Sequence, residues 1–496
     1  MARLADLGLS PPAGIAATAQ VRGITADSRE VRAGWVFFAL KGKLDGAEFA
    51  PFAWRQGALA VVADAAGAET ARRLAGDAAG AVIEVAEPRA ALARAAAGFF
   101  DAQPATVAAV TGTNGKTSTA AFLRQIWTAC GRRAVNLGTT GVEGAVSAPG
   151  ALTTPDPVRL HALLADLAEA GVTHAAMEAS SHGLDQFRLD GVRLAAAGFT
   201  NLSRDHLDYH GSMDAYLAAK AGLFSRVAPP GAAAALNADD AAFGVIEAAA
   251  RARGLRVIGV GRAGADLRLL SQDFHPEGQR LRFVWAGRER EADLPLIGGF
   301  QADNALLAAA MAIGAGEAPA MVFAALPGLA SVRGRMELAA VRANGARVYV
   351  DYAHTPDALR VALAALRPHM APGGRLGVVF GAGGDRDRGK RPLMGAAACA
   401  GADAVIVTDD NPRSEDPAAI RAEVLAGCPR DPALEEIGDR AEAILVGVDH
   451  LGPRDCLLIA GKGHETGQTV GDETLPFDDA EQARAVVAVL DGDEGR

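Results

Sequence analysis

The sequence predicts an α/β fold in three domains: a small N-terminal α/β domain, a central parallel sheet of the P-loop type and a C-terminal Rossmann-like α/β domain. Three observations carry that expectation. Short apolar runs alternate with Ala/Leu-rich helical segments along most of the chain. One of those runs passes directly into a Gly-containing loop, TGTNGKTS at 111–118, and then into a helix. The chain has 496 residues, enough for about three domains.

The elements follow in order. In residues 1–88, the runs WVFFAL (35–40), ALAVVA (58–63) and AVIEVA (81–86) read as strands separated by helices. Arg89–Phe100 is Ala-rich with helical spacing, and Asp101–Pro104 breaks it. Thr106–Val110 is a strand that feeds the Gly-containing loop. The central domain, 89–332, continues with strands HAAMEAS (174–180), LAAAGFTNL (194–202) and AAAALNAD (232–239). Between Asp266 and Asp293 apolar and polar residues alternate in LRLLSQDF and LRFVWAG, which predicts an antiparallel insertion. The C-terminal domain, 333–496, holds RVYVDYA, RLGVVFGAGG, ADAVIVTDD and DCLLIAGKG, each an apolar run that ends in a Gly- or Asp-rich loop. In open α/β sheets ligands sit at the carboxyl ends of the strands, so these loops are the candidate sites.

Half of the residues are hydrophobic and 22% are charged, which excludes a mainly disordered chain. The net charge is −10, where a general nucleic-acid or membrane-surface binder would more often be basic. Only six basic residues are lysine, at positions 41, 43, 116, 220, 390 and 462, against 43 arginines. Cys130, Cys399, Cys428 and Cys456 are scattered without a CxxC pair, so neither a zinc site nor a disulfide framework is indicated. The N-terminus lacks the apolar region of a signal peptide, and no run reaches the length of a membrane span. A soluble cytoplasmic protein is expected, with a monomer as its state and neither nucleic acid nor membrane as partner.

The loop at 111–118 has a physical reading. Gly112 and Gly115 let backbone N–H groups approach phosphate oxygens, Lys116 offers a point charge, and the hydroxyl of Thr117 or Ser118 can hold Mg²⁺. Glu178, at the carboxyl end of a neighbouring strand, is a natural hard-oxygen ligand for the same cation. The interval Asp205–Lys220 gathers two histidines, two further acids and a lysine. In the third domain, GAGGDR half-resembles a dinucleotide fingerprint, but its third glycine position is Arg386, so dinucleotide binding is rejected. Arg413 in DDNPR can grip a carboxylate through two parallel N–H bonds.

TGTNGKTS, MEASSHGLDQFR (177–188) and TNLSRDHLDYHG (200–211) with YLAAK (216–220) together resemble the Mur ligases of peptidoglycan synthesis. GGFQADNALLA (298–308), GRME (334–337), VDYAHTPDAL (350–359), GAGGDRDRGKRP (381–392), DDNPRSEDP (409–417) and AGKGHE (460–465) extend the resemblance, in the family's order, over essentially the whole chain. The resemblance implies an ATP-dependent amide ligase acting through an acyl phosphate. It implies that Gly112, Thr113, Asn114, Gly115, Lys116, Thr117 and Ser118 hold ATP phosphates, and that Asn304, Arg335 and Asp351 contact the rest of the nucleotide. Thr117, Glu178 and His206 serve Mg²⁺. Lys220 carries a CO₂-derived carbamate that acts as an oxygen ligand, chemistry closed to a guanidinium. Lys116, Lys220, His206 and Arg188 form the catalytic set. The acceptor is UDP-MurNAc-L-Ala-D-Glu, its UDP held by Asp27, Ser28, Lys43, Leu44 and Asp45, its muramoyl-dipeptide by Thr153, Thr154, Ser180, Gln186 and Arg188. Meso-diaminopimelate, whose second carboxylate suits Arg413, falls to Arg386, Asp410, Asn411, Pro412, Arg413, Gly461 and Glu465. Two other readings stay open on the residues alone: a different amide ligase of the same superfamily, and a nucleotide-dependent switch.

Overall fold

The computed structural model describes residues 2–10, 15–16, 18–76, 80–148, 153–429 and 433–492. The chain divides into two units, residues 1–268 with 304–325 and residues 269–303 with 326–496.

The first unit holds two sheets with separate hydrophobic cores. A short N-terminal ladder pairs β1 (Ala2–Arg3) with β2 (Gln20–Val21). The small sheet follows, with β3 (Gly23–Thr25), β4 (Trp35–Phe38), β5 (Ala60–Ala63) and β6 (Val82–Glu84) in sequential, parallel order. Helices α1 (Ala50–Arg55), α2 (Ala65–Ala75) and α3 (Pro88–Phe100) connect or cover these strands. Apolar side chains fill both faces: Val36, Phe38 and Val62 lie on one, Phe37 and Val61 on the other. That explains why WVFF and AVVA read as unbroken apolar runs. Helix α3 stops where Asp101 takes a left-handed conformation (φ 47°), as the break at Asp101–Pro104 anticipates.

The larger sheet is built from β7 (Thr106–Thr111), β8 (Ala134–Gly138), β9 (Gly141–Gly144), β10 (His174–Glu178), β11 (Ala196–Phe199), β12 (Ala233–Asn237) and β13 (Arg256–Gly261). Its order is β13-β12-β11-β7-β10-β8-β9. All pairs are parallel except the β8–β9 edge. Its helices are α4 (Lys116–Ala129), α5 (Pro157–Glu169), α6 (Ser181–Asp185), α7 (Leu207–His210), α8 (Met213–Gly222) and α9 (Phe243–Ala252). Strand β7 lies between β11 and β10, so the loop after it opens beside the ends of both.

Strand β14 (Leu267–His275) only partly fits the expected antiparallel insertion. Its first two residues pair in parallel with β13, through Val260–Leu267 and Gly261–Arg268. The alternation correctly marks β15 (Gly278–Trp285) and β16 (Arg288–Leu294), which are antiparallel. Helices α10 (Gly299–Gly314) and α11 (Pro319–Ala325) complete the middle of the chain.

The second unit is organised on the sheet β17-β18-β22-β19-β20-β21. Its strands are β17 (Glu337–Val341), β18 (Arg347–Asp351), β19 (Leu376–Phe380), β20 (Ala404–Val407), β21 (Leu434–Glu436) and β22 (Cys456–Ala460). Only the edge strand β17 is antiparallel to its neighbour. Helices α12 (Pro356–Leu366), α13 (Lys390–Gly401), α14 (Pro417–Leu425), α15 (Arg440–Asp449) and α16 (Asp479–Leu490) surround it. Alternate strand residues feed two cores: Val378 and Phe380 enter one, Val379 the other. A hairpin, β23 (Gly467–Val470) with β24 (Glu473–Pro476), follows β22. No described helix is long and apolar enough to cross a membrane.

Candidate active site

In the first unit the Gly-containing loop is wedged against the end of β11. A Cβ at Gly112 would lie 1.8 Å from Thr200 Oγ1, and one at Gly115 would lie 2.3 Å from Asn304 Oδ1. Gly115 also has φ 83°, a conformation that favours glycine, where α4 begins. Thr200 Oγ1 donates to the Asn114 carbonyl at 2.6 Å, and Asn201 Oδ1 accepts from the Asn114 N–H at 3.0 Å. Lys116 curls over its own loop, its Nζ donating to the carbonyls of Gly112 (2.9 Å) and Thr113 (2.8 Å). Thr117 and Ser118 are buried in the first turn of α4.

Glu178 closes β10 and is buried. Its Oε1 accepts from the Thr139 N–H at 3.0 Å and would lie 1.9 Å from a Cβ on Gly138, so only glycine leaves room for the carboxylate there.

Lys220, near the C-terminus of α8, is 1% exposed. Its Nζ donates to the Gly112 carbonyl at 2.7 Å and lies 4.3 Å from the centre of the Tyr216 ring. Burial first, then the positive charge of Lys116, push its amine down to about 6, against a weaker opposing pull from Asp205. This favours the neutral form of the Lys220 ε-amine. Tyr216 hydrogen-bonds Thr113 Oγ1 at 3.2 Å, and burial pushes its phenol up to about 12.

His206 sits in the left-handed region (φ 51°) just before α7, with Asp205 Oδ2 3.5 Å from its Nε2. Its ring lies 5.0 Å from that of His182, which also packs on Tyr209 and His210. Among the described residues no three His, Cys, Asp or Glu side chains converge as a metal cluster. Of the expected donors, His206 offers an imidazole nitrogen, while Thr117 in the first turn of α4 and Glu178 at the end of the neighbouring β10 both offer oxygen. Hard oxygens of this type fit Mg²⁺.

The acceptor side of the first unit holds a cavity of about 940 Å³, lined among others by Asp27, Ser28, Leu44, Arg89, Gln186 and Arg188. Five of the expected residues stand outside its lining: Lys43, Asp45, Thr153, Thr154 and Ser180. Lys43 is exposed, and Asp45 spends its carboxylate on the Ala47 N–H. Lys41 does line it, and its Nζ pairs with Asp64 at 2.6 Å. Thr154 and Ser180 are used inside the wall. Thr154 Oγ1 donates to the Glu178 carbonyl and accepts from the Ser180 N–H, while Ser180 Oγ accepts from Gly183. Thr153 Oγ1 lies 3.0 Å from Thr139 Oγ1. Arg188 donates to the Thr154 carbonyl at 2.7 Å and to Gln186 Oε1 at 2.8 Å, so the arginine facing the cavity is tied to the wall that carries Glu178.

In the second unit Asp351 accepts from the N–H groups of Met336 and Ala353. Burial raises its carboxyl, opposed by the charge of Arg335, whose guanidinium stacks 4.8 Å from the Tyr352 ring. The DDNPR loop packs backbone to backbone against the Gly-rich loop after β19. The Gly384 N–H donates to the Asn411 carbonyl, and a Cβ on Gly384 would lie 1.8 Å from the Pro412 oxygen. Arg413 has φ 53° and gives its Nη1 to the Gly384 carbonyl at 2.7 Å. This bond occupies Nη1 of the guanidinium. Arg386 is exposed and touches only its neighbour's carbonyl among the contacts of the loop. Gly461 (φ 117°) lies beside Asp410, whose Oδ2 would stand 2.5 Å from any Cβ there. Asn411 Nδ2 donates to Glu465 Oε2 at 2.9 Å.

Residues 110–312 match the Mur ligase middle domain, 334–463 the Mur ligase glutamate ligase domain and 20–100 the Mur ligase family catalytic domain. A UDP-N-acetylmuramoyl-L-alanyl-D-glutamate–2,6-diaminopimelate ligase of Bradyrhizobium diazoefficiens is 53% identical, over 95% of this chain and 96% of the relative. The chain belongs to the Mur ligase family. A ligase of the same name from Caulobacter vibrioides is 50% identical over 98% of this chain and 99% of its own. A solved structure of a diaminopimelate ligase so named superposes with a TM-score of 0.74 at 33% identity, covering 99% of both chains. The fold is shared more widely: a folylpolyglutamate synthase of Mycobacterium tuberculosis superposes with a TM-score of 0.61 at 20% identity, over 82% of this chain and 95% of its own. As a Mur ligase, the chain is an ATP-dependent ligase acting on small-molecule substrates.

The motifs of this Mur ligase named the residues at the strand ends. They contain Thr200, Asn201 and Tyr216 without giving them a role, although these brace the loop at 111–118, and they leave out Arg89 in the cavity wall. Tyr216 was visible as an aromatic one helical turn before Lys220, the spacing that puts both on one face. Arg89 had no local signal.

Proposed function

We propose that this Mur ligase joins the amine of meso-2,6-diaminopimelate to the D-Glu γ-carboxylate of UDP-MurNAc-L-Ala-D-Glu, with ATP cleaved to ADP and phosphate. The γ-carboxylate oxygen attacks the terminal phosphorus of ATP and ADP leaves. The incoming amine then adds to the acyl-phosphate carbon, loses a proton, and phosphate departs as the amide forms. Residues 1–88 take the sugar nucleotide, 89–332 take ATP and 333–496 take the amino acid.

The protein's share is positioning and charge. Backbone N–H groups of Gly112–Ser118 and the α4 N-terminus cradle the phosphates, and Lys116 swings from its own loop carbonyls to the transferred group. Arg188, fixed by Thr154 and Gln186, meets the carboxylate being activated. Thr117, Glu178 and His206 would hold Mg²⁺, which neutralises phosphate charge when bound. Lys220 adds CO₂ through its neutral nitrogen and releases one proton, converting a cation site into an oxygen donor. The observation that carries the reading is this amine, 1% exposed and 2.7 Å from the Gly112 carbonyl, where burial favours its neutral form. Similarity to diaminopimelate ligases along 95% of the chain supports the choice of acceptor. The setting is cytoplasmic and the enzyme a monomer.

Phosphate release with UDP-MurNAc-L-Ala-D-Glu, ATP and Mg²⁺ tests it, with meso-diaminopimelate, L-lysine or D-Ala-D-Ala offered in parallel. Turnover is expected with meso-diaminopimelate alone. Preference for L-lysine would overturn the role of Arg413, and no turnover with any acceptor would return the chain to a nucleotide switch.

A further inference from the structure

Of the six lysines, Lys462 is the most deeply placed, with a side chain 0% exposed. Its Nζ donates to Asn411 Oδ1 at 3.0 Å and reaches Glu465 Oε2 at 3.4 Å. The backbone N–H of Thr469, from the β23–β24 hairpin, also donates to Asn411 Oδ1, at 2.9 Å. Asn411 Nδ2 in turn donates to Glu465 Oε2. Two donors on one side and an acceptor on the other leave the Asn411 amide a single orientation.

Glu465 keeps 34% of its side chain exposed. Both inward contacts fall on Oε2, so Oε1 faces outward without a protein donor among the described residues. Lys462 reaches Glu465 from inside the protein, with its own side chain 0% exposed.

We propose that Lys462 is a positioning residue for the amino-acid acceptor: it locks Asn411 and pins Glu465 by its Oε2, leaving Oε1 turned towards the ammonium of a diamino diacid. The inference rests on the acceptor reading above and adds a residue to it. Lys462 does not touch the acceptor. It acts through the two side chains that do, and so bears on one substrate of three.

The test is the split of KM values in the full-length enzyme. For Lys462→Met, loss of a charged hydrogen-bond donor should raise KM for meso-diaminopimelate about ten-fold or more. KM for ATP and for UDP-MurNAc-L-Ala-D-Glu should change less than about two-fold on the same scale. Lys462→Arg, which restores a donor and a cation, should recover part of the loss. An unchanged diaminopimelate KM overturns the proposal, as does a parallel rise in all three KM values, the signature of general damage. If Lys462→Met does not fold, the same ratio read on Lys462→Arg decides: a selective rise supports the proposal and an even one sinks it. A wild-type enzyme that refuses meso-diaminopimelate but turns over another acceptor refutes the acceptor reading instead, and is distinguished by needing no variant.

Discussion

Lys220 has an amine whose burial favours the neutral form. Replacing it by arginine substitutes a group that cannot lose its proton and cannot add CO₂. Lys220→Arg is expected to lose nearly all phosphate release. Lys220→Ala should regain part of it when short carboxylic acids supply the missing oxygens. Stability should respond to pH as well. Between about 6 and 10.5 the unfolded lysine holds a proton and the folded one does not. The unfolded state binds more protons in that window, so stability rises with pH across it. In CO₂-depleted buffer, urea midpoints of the wild type should climb from pH 7 to pH 9.5 more steeply than those of Lys220→Met. Lys116 and Lys220 were legible in the sequence because each lies inside a motif whose chemistry is local. Tyr216 was legible as an aromatic on the face of Lys220, but its bond to Thr113 was not, because the two are 103 residues apart. Lys43 and Asp45 show the reverse: a motif placed them near the cavity, and the folded loop turned one to solvent and spent the other on a turn.

At the scale of elements, the carboxyl ends of the parallel strands carry the proposed site, and they were the most legible part. An apolar run that ends in Gly or Asp is both a buried strand and a loop start, so β7, β10, β19, β20 and β22 were each visible. The β23–β24 hairpin was not. Its outer strand is exposed throughout and offers no apolar alternation to read, yet it donates to Asn411 and, through Gln468, to the Asp410 carbonyl. Where two loops touch backbone to backbone, side-chain size is the sensitive variable. Gly384→Ala forces a methyl into the Pro412 carbonyl. It should cost about 1–3 kcal/mol of stability by overpacking and raise KM for the amino acid while leaving that for ATP unchanged, as denaturant melts and initial rates would show.

Across the whole molecule, arginine does the fastening. Arg391 joins the Gly383 carbonyl to Glu415 and Glu423. Arg440 and Asp479 form an ion pair with both side chains 0% exposed. Arg440 also holds the carbonyls of Asp409 and Ala460, at the ends of two strands that bear the acceptor loops. Arg440→Ala leaves a buried carboxylate without its partner, which should cost about 3–5 kcal/mol. Trp35, Trp54 and Trp127 lie in the first unit and only Trp285 in the second. In that variant, circular dichroism should therefore begin to fall at lower urea than tryptophan fluorescence. Coincident transitions would show instead that the two units unfold together. The scarcity of lysine was readable from composition, but the multi-bond anchoring by Arg391 and Arg440 was not, because composition carries no distances.

The burial of Lys220 also acts as a sieve. A free amine with depressed basicity is a good nucleophile towards almost any electrophile, yet at 1% exposure only a reagent of a few atoms can reach it. Cyanate, close to CO₂ in size and shape, should modify Lys220 at neutral pH ahead of the exposed Lys41, whose ammonium is held by Asp64. A bulky active ester should reverse that order. Peptide mapping by mass spectrometry would read both, and the fold would then be seen to choose its electrophile by size.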